Sequence, residues 1–173
     1  MPRHNLGVAI GIPEPYRSEL QDWREQLGDP QAKFIPPHVT LLPPTAVPVE
    51  RIGMVEDHLR ALARREAAFH IVLRGSATFR PVSPVVFVPL AAGISDCERL
   101  ERQVRSGPLE RSTRFNYHPH VTVVHDVPED ALDRAFEKLA DYRAEFDVGS
   151  FQLFEQDPNE VWQPIREFFF GAA

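Results

Sequence analysis

The tetrapeptide Pro-His-Val-Thr occurs twice, as "PHVTLL" at residues 37–42 and "PHVTVV" at 119–124, each time followed by two aliphatic residues. His38 and His120 stand 82 positions apart. The elements around them recur as well. Residues 5–12 alternate Leu6, Val8, Ile10 and Ile12, the period of a half-buried strand. Tyr16, Leu20, Trp23 and Leu27 then follow at helical spacing, and Gly28 and Pro30 stop the helix. After the first Pro-His-Val-Thr strand comes a helix with Ile52, Val55, Leu59 and Leu62 on one face, then a strand over 69–79. The order restarts with a strand at 85–91 and a helix at 94–106 carrying Cys97, Leu100 and Val104. A strand at 120–125 is followed by a helix that opens on Pro128 and two acids, with Leu132, Phe136 and Leu139 as its buried face. Strands at 146–156 and 161–171 finish the chain, joined by a turn at "DPNE". This is an internal duplication in one domain of two lobes, approximately 1–80 and 81–173.

Side chains alternate faces along a strand, so His38 points with Thr40 and His120 with Thr122, while the valines between them face a core. If the halves pack about a pseudo-twofold axis, the two His/Thr pairs converge on one cleft. The same alternation sends His125 to the face opposite His118 and His120.

Two imidazoles facing one substrate can divide proton transfer around neutral pH, one neutral as base and one protonated as acid. Phosphodiester cleavage needs that division, because a base activates the attacking hydroxyl or water and an acid protonates the leaving alkoxide. Threonine hydroxyls suit the phosphate oxygens on which charge builds. The scheme requires no metal and no cofactor. A zinc reading would use His118, His120 and His38, since His-x-His on a strand can chelate. Against it, no carboxylate or cysteine stands at ligand spacing near His38.

The 173 residues carry a formal net charge of -6, which disfavours a surface built to grip long nucleic acid but leaves room for a local anion pocket. No apolar run approaches the roughly 20 residues of a membrane span, and the first ten residues lack the apolar core of a secretory signal, so a cytoplasmic protein is expected. The single cysteine, Cys97, sits in a helical stripe and reads as a core thiol.

The paired "HVT" strands resemble the signature of the two-histidine (2H) phosphoesterases, particularly the bacterial RNA 2′,3′-cyclic phosphodiesterases also called 2′-5′ RNA ligases. "VAIGIPEPYRSELQDWR" is similar to that family's opening strand, proline turn and helix, and "YHPHVTVVHD" to its second motif. The resemblance implies a bilobal α+β fold, two antiparallel sheets lining a central cleft with helices outside. It implies that His38 and His120 are the catalytic acid and base and that Thr40 and Thr122 hold the phosphate. Tyr117, His118 and His125 are candidate substrate-side residues. The implied reaction is metal-independent opening of a 2′,3′-cyclic phosphate to a 2′-phosphate, with 2′-5′ ligation in some members. The implied partner is cyclic-phosphate-terminated RNA or a small cyclic nucleotide, with no membrane and no protein partner. The chain departs from the family in two places. Leu42, Pro43 and Pro44 replace an aromatic-Leu-Gly stretch, and His125 stands where a basic residue, often Arg, closes the second motif. The alternative is a non-catalytic nucleotide or RNA-end binding module that keeps the cleft.

Overall fold

A computed structural model of the chain describes residues 3–111 and 116–171. In chain order the elements are β1 (Arg3–Gly11), α1 (Tyr16–Gln26), β2 (His38–Pro48), α2 (Ile52–Arg64), β3 (Phe69–Arg74), β4 (Ala77–Thr78), β5 (Val85–Ala92), α3 (Ile94–Val104), β6 (His120–His125), α4 (Glu129–Lys138), β7 (Arg143–Val148), β8 (Ser150–Gln156) and β9 (Trp162–Phe169). The helices follow their apolar stripes: α2 buries Val55, Leu59 and Leu62, and α3 buries Cys97, Leu100 and Val104. In α4 the buried face is Ala131, Leu132 and Ala135, continued by Leu139. Phe136 is 39% exposed, contrary to the expectation from its spacing. Ala131 and Ala135, one turn apart, share the contact face with Leu132, and Phe136 falls beside it.

The strands form two antiparallel sheets. The first has the order β2-β1-β8-β9. In the second, β4 and β6 meet β5 at the same residues, Val86 and Phe87, so they lie on its opposite edges. β3 continues the antiparallel register of β4 along β5, and β7 completes the sheet outside β3. Each sheet therefore holds strands from both halves of the sequence: β3 and β4 belong with β5, and β8 and β9 with β1. A division near residue 80 separates the repeated element order but not the sheets. The stretch 146–156, expected as one strand, is broken at Gly149, because its two parts pair in different sheets.

The pseudo-twofold relation is visible in the contacts. β2 and β6, edge strands of their sheets, lie against each other, α1 rests on β6, and α3 rests on β2. This is an α+β architecture whose two motif strands meet at its centre. No helix among the described residues is long and apolar enough to cross a membrane.

Candidate active site

Both motif strands carry the same irregularity. In β2, Thr40 and Leu42 pair with the consecutive residues Ala9 and Val8 of β1, leaving Leu41 as an extra residue. In β6, Thr122 and Val124 pair with Phe87 and Val86 of β5, leaving Val123 extra. A one-residue bulge resets the alternation of side chains. Leu41 and Leu42 are both buried, as are Val123 and Val124, and Pro43 and His125 return to the threonine face. His125 thus lines a cavity with His38, Thr40 and Thr122, which corrects the expectation of strict alternation.

The histidines are held alike. His38 Nδ1 lies 2.8 Å from the Pro36 carbonyl, and His120 Nδ1 lies 2.6 Å from the His118 carbonyl. In each case the carbonyl two residues earlier, across the intervening proline, accepts Nδ1–H. That bond fixes the neutral tautomer and leaves Nε2 as the basic nitrogen. The Thr40 hydroxyl, 3.0 Å from His38 Nε2, donates to it. The Trp162 ring lies over His38 with centroids 4.3 Å apart and stacks on Phe154 at 3.4 Å. Phe154 in turn occupies the space that a side chain at Gly7 would fill: a Cβ there would lie 2.2 Å from its ring. On the other side, Phe79 and Phe87 enclose His120, with centroids at 5.1 and 4.9 Å.

Two cavities meet at this centre and share Thr40 and Pro43. The first, about 460 Å³, holds His38, Thr40, Thr122 and His125, with Arg24, Asp29 and Trp162 in its wall. The second, about 590 Å³, holds His120, His118 and Tyr117 beside Phe79, Leu42 and Val82. Tyr117 bridges the two motif strands, its hydroxyl donating to the Thr40 carbonyl at 2.7 Å.

Burial pushes the His38 pKa down to about 4, helped by the positive charges of Arg24 and His120. Burial does the same to His120, also to about 4, with His118 contributing. His125 moves the other way. Its hydrogen bond to the Asp29 carboxylate, at 3.2 Å, raises its pKa against the opposing effect of burial. Burial and nearby acidic groups raise the Tyr117 pKa, so its hydroxyl is a donor at every ordinary pH.

The structure therefore brings His38, Thr40, Thr122 and His125 into one cavity and places His120, His118 and Tyr117 in the adjoining one. Sequence reasoning missed Arg24, Asp29, Phe79, Phe154 and Trp162. Arg24 offered a signal, a charged residue four after the buried Leu20 on a helix face. Asp29 read only as part of a helix stop. Among the described residues no group of three His, Cys, Asp or Glu side chains is arranged to hold a metal ion.

The model of the 2′-5′ RNA ligase superfamily matches residues 12–160. A protein of Oceanobacillus iheyensis provisionally named a phosphoesterase is 26% identical over 167 residues, covering 95% of this chain and 97% of that protein. A similarly named protein of Bacillus licheniformis is 30% identical over 146 residues, 83% of this chain and 86% of its own. Among solved structures, apo E. coli LigT superposes with a TM-score of 0.71 at 20% identity, over 98% of this chain and 99% of LigT. LigT has also been crystallised with 3′-AMP, at a TM-score of 0.69 and 20% identity, again covering 98% of this chain and 99% of that one. Matched over most of its length and sharing the LigT fold, the chain belongs to the 2′-5′ RNA ligase superfamily of two-histidine phosphoesterases.

Proposed function

We propose that the protein is a metal-independent 2′,3′-cyclic phosphodiesterase, acting in the cytoplasm on RNA ends or small cyclic nucleotides and releasing a 2′-phosphate. The observation that carries this reading is the matched pair of imidazoles. Each has Nδ1–H tied to the carbonyl two residues earlier, which leaves Nε2 as the basic nitrogen; at His38 it accepts the Thr40 hydroxyl, which turns to the phosphate when substrate binds.

On this reading the phosphate sits between His38 and His120, with Thr40 and Thr122 donating to its non-bridging oxygens. One histidine takes a proton from water as the new O–P bond forms. The other gives a proton to the departing 3′-oxygen as the P–O3′ bond breaks. Each proton transfer contributes on the order of 10²–10⁴ in rate. Burial lowers both pKa values to about 4, and an anionic phosphate between the rings supplies the charge that raises one imidazole into its acid form. The second cavity, walled by Phe79, Leu42 and Val82, offers an apolar face for a nucleobase or ribose. Capture of 3′-AMP by LigT is consistent with a nucleotide in this cleft.

The test is incubation with nucleoside 2′,3′-cyclic phosphates and cyclic-phosphate-ended oligonucleotides in EDTA, followed by separation of the monophosphate isomers. The 2′-phosphate alone is expected. Binding of these substrates without turnover of any would replace this reading with that of a binding module.

A further inference from the structure

The first cavity contains a charge arrangement that the paired motifs do not explain. Gly28 ends α1 in the left-handed conformation, φ +80°, and the Asp29 N–H donates back to the Arg24 carbonyl at 3.0 Å. That turn directs the Asp29 side chain inward, where it is 1% exposed. Its Oδ1 accepts the Gln31 N–H at 2.7 Å, and its Oδ2 lies 3.2 Å from His125 Nδ1. With Nδ1–H donated to Asp29, the second ring nitrogen of His125 lies 3.8 Å from the exposed Asp126 carboxylate, beyond hydrogen-bond length, on a residue that lines the cavity with Thr40 and Thr122. A buried carboxylate with an imidazole partner is most stable when that imidazole is charged.

We propose that Asp29 is a positioning residue that holds His125 as the titratable cation of the cleft, an imidazolium receiving an anionic group of the substrate beside Thr122. The inference rests on the reading of the cleft as a phosphate site. It goes beyond that reading in assigning Asp29 a role and in making anion affinity depend on one proton. The charged groups facing His125 are Asp29 and Arg24 from α1 and its turn, and Asp126 from its own strand end, whose carboxylate lies 3.8 Å from Nε2. Glu160 lines the same cavity. Burial lowers the Arg24 pKa against the opposing pull of Asp29, and its guanidinium is anchored to the Ile35 carbonyl and Gln21; an arginine starts so far above neutrality that it stays a cation. Within the cluster, His125 is the imidazole whose proton the Asp29 carboxylate holds above the ordinary range.

A permanent cation at position 125 would bind an anion at any pH, whereas His125 binds it only while protonated. Sulfate is the suitable probe, because its charge is constant from pH 5.5 to 9. Calorimetric titration of the whole chain with sulfate, in a His38→Gln, His120→Gln background where neither motif imidazole can take up a proton, should show affinity falling by about tenfold or more across this range, the order of a lost charge-assisted hydrogen bond. His125→Arg should retain its affinity at pH 9, and His125→Gln should bind weakly throughout. Asp29→Asn, checked for folding by circular dichroism, should move the loss to lower pH. The proposal is overturned if this background and its His125→Arg variant share one pH dependence, or if its His125→Gln variant binds sulfate like the background at pH 5.5. Sulfate binding needs no turnover, so this pattern beside a wild type that opens no cyclic phosphate would refute the catalytic reading and leave this one standing.

Discussion

The two motif histidines should make the fold sensitive to mild acid. In the unfolded chain an imidazole takes up its proton as pH falls through 6.5, but His38 and His120 do so in the folded cleft only near 4. Between those values the unfolded state binds more protons, so stability is full above about pH 6.5 and is lost as pH falls toward 4. The ceiling is about 3.4 kcal/mol for each imidazole. Water in the open cleft reduces this to about 1–2 kcal/mol each, or roughly 2–4 kcal/mol for the pair. His125, whose pKa is raised, works in the opposite direction and stabilises at low pH. The informative comparison is therefore wild type against a His38→Gln, His120→Gln double variant, which keeps His125. Urea unfolding followed by tryptophan fluorescence from pH 7.5 to 4.5 measures the difference. The double variant should gain about 2–4 kcal/mol on wild type as pH falls. A difference constant to within about 0.5 kcal/mol would refute the linkage and, with it, the picture of two desolvated imidazoles.

Two further predictions concern the aromatic wall behind His38. Trp162→Ala should cost about 2–3 kcal/mol through lost stacking on Phe154, and by admitting water it should return the His38 pKa toward 6.5 in an NMR titration. An unshifted His38 would show that Trp162 does not desolvate it. Gly7→Ala should lower stability by about 1–3 kcal/mol, because the Phe154 ring must move, whereas Gly149→Ala meets no neighbouring atom within 4 Å and serves as the control. Equal thermal midpoints for the two variants would contradict the packing described for Gly7.

Much of this site was legible in the sequence because a strand's period of two is simple to read. His38 with Thr40 and His120 with Thr122 follow from alternation alone, and the repeated tetrapeptide points to their meeting. Alternation fails at Leu41 and Val123, where a bulge inserts one residue without leaving a mark in composition. That is why His125 reaches the cleft against expectation. The exchange of β3 and β8 between sheets was equally hidden, because alternation along a strand shows which face is buried and not which distant strand it pairs with. Asp29 and Trp162 escaped for a related reason: each reaches the site through a contact distant in sequence, Asp29 with His125 and Trp162 with His38. Phe136 shows the opposite error, a residue at correct helical spacing that stays exposed while Ala131 and Ala135 are buried.

The most direct measurement is the rate of 2′,3′-cyclic phosphate opening in EDTA for wild type, His38→Ala, His120→Ala and the double variant. Each single variant should lose on the order of 10²–10⁴ in turnover while keeping its fold, and the double variant should lose little more than the worse single one, since the two groups act in one step. Undiminished turnover in the double variant would contradict the paired acid and base.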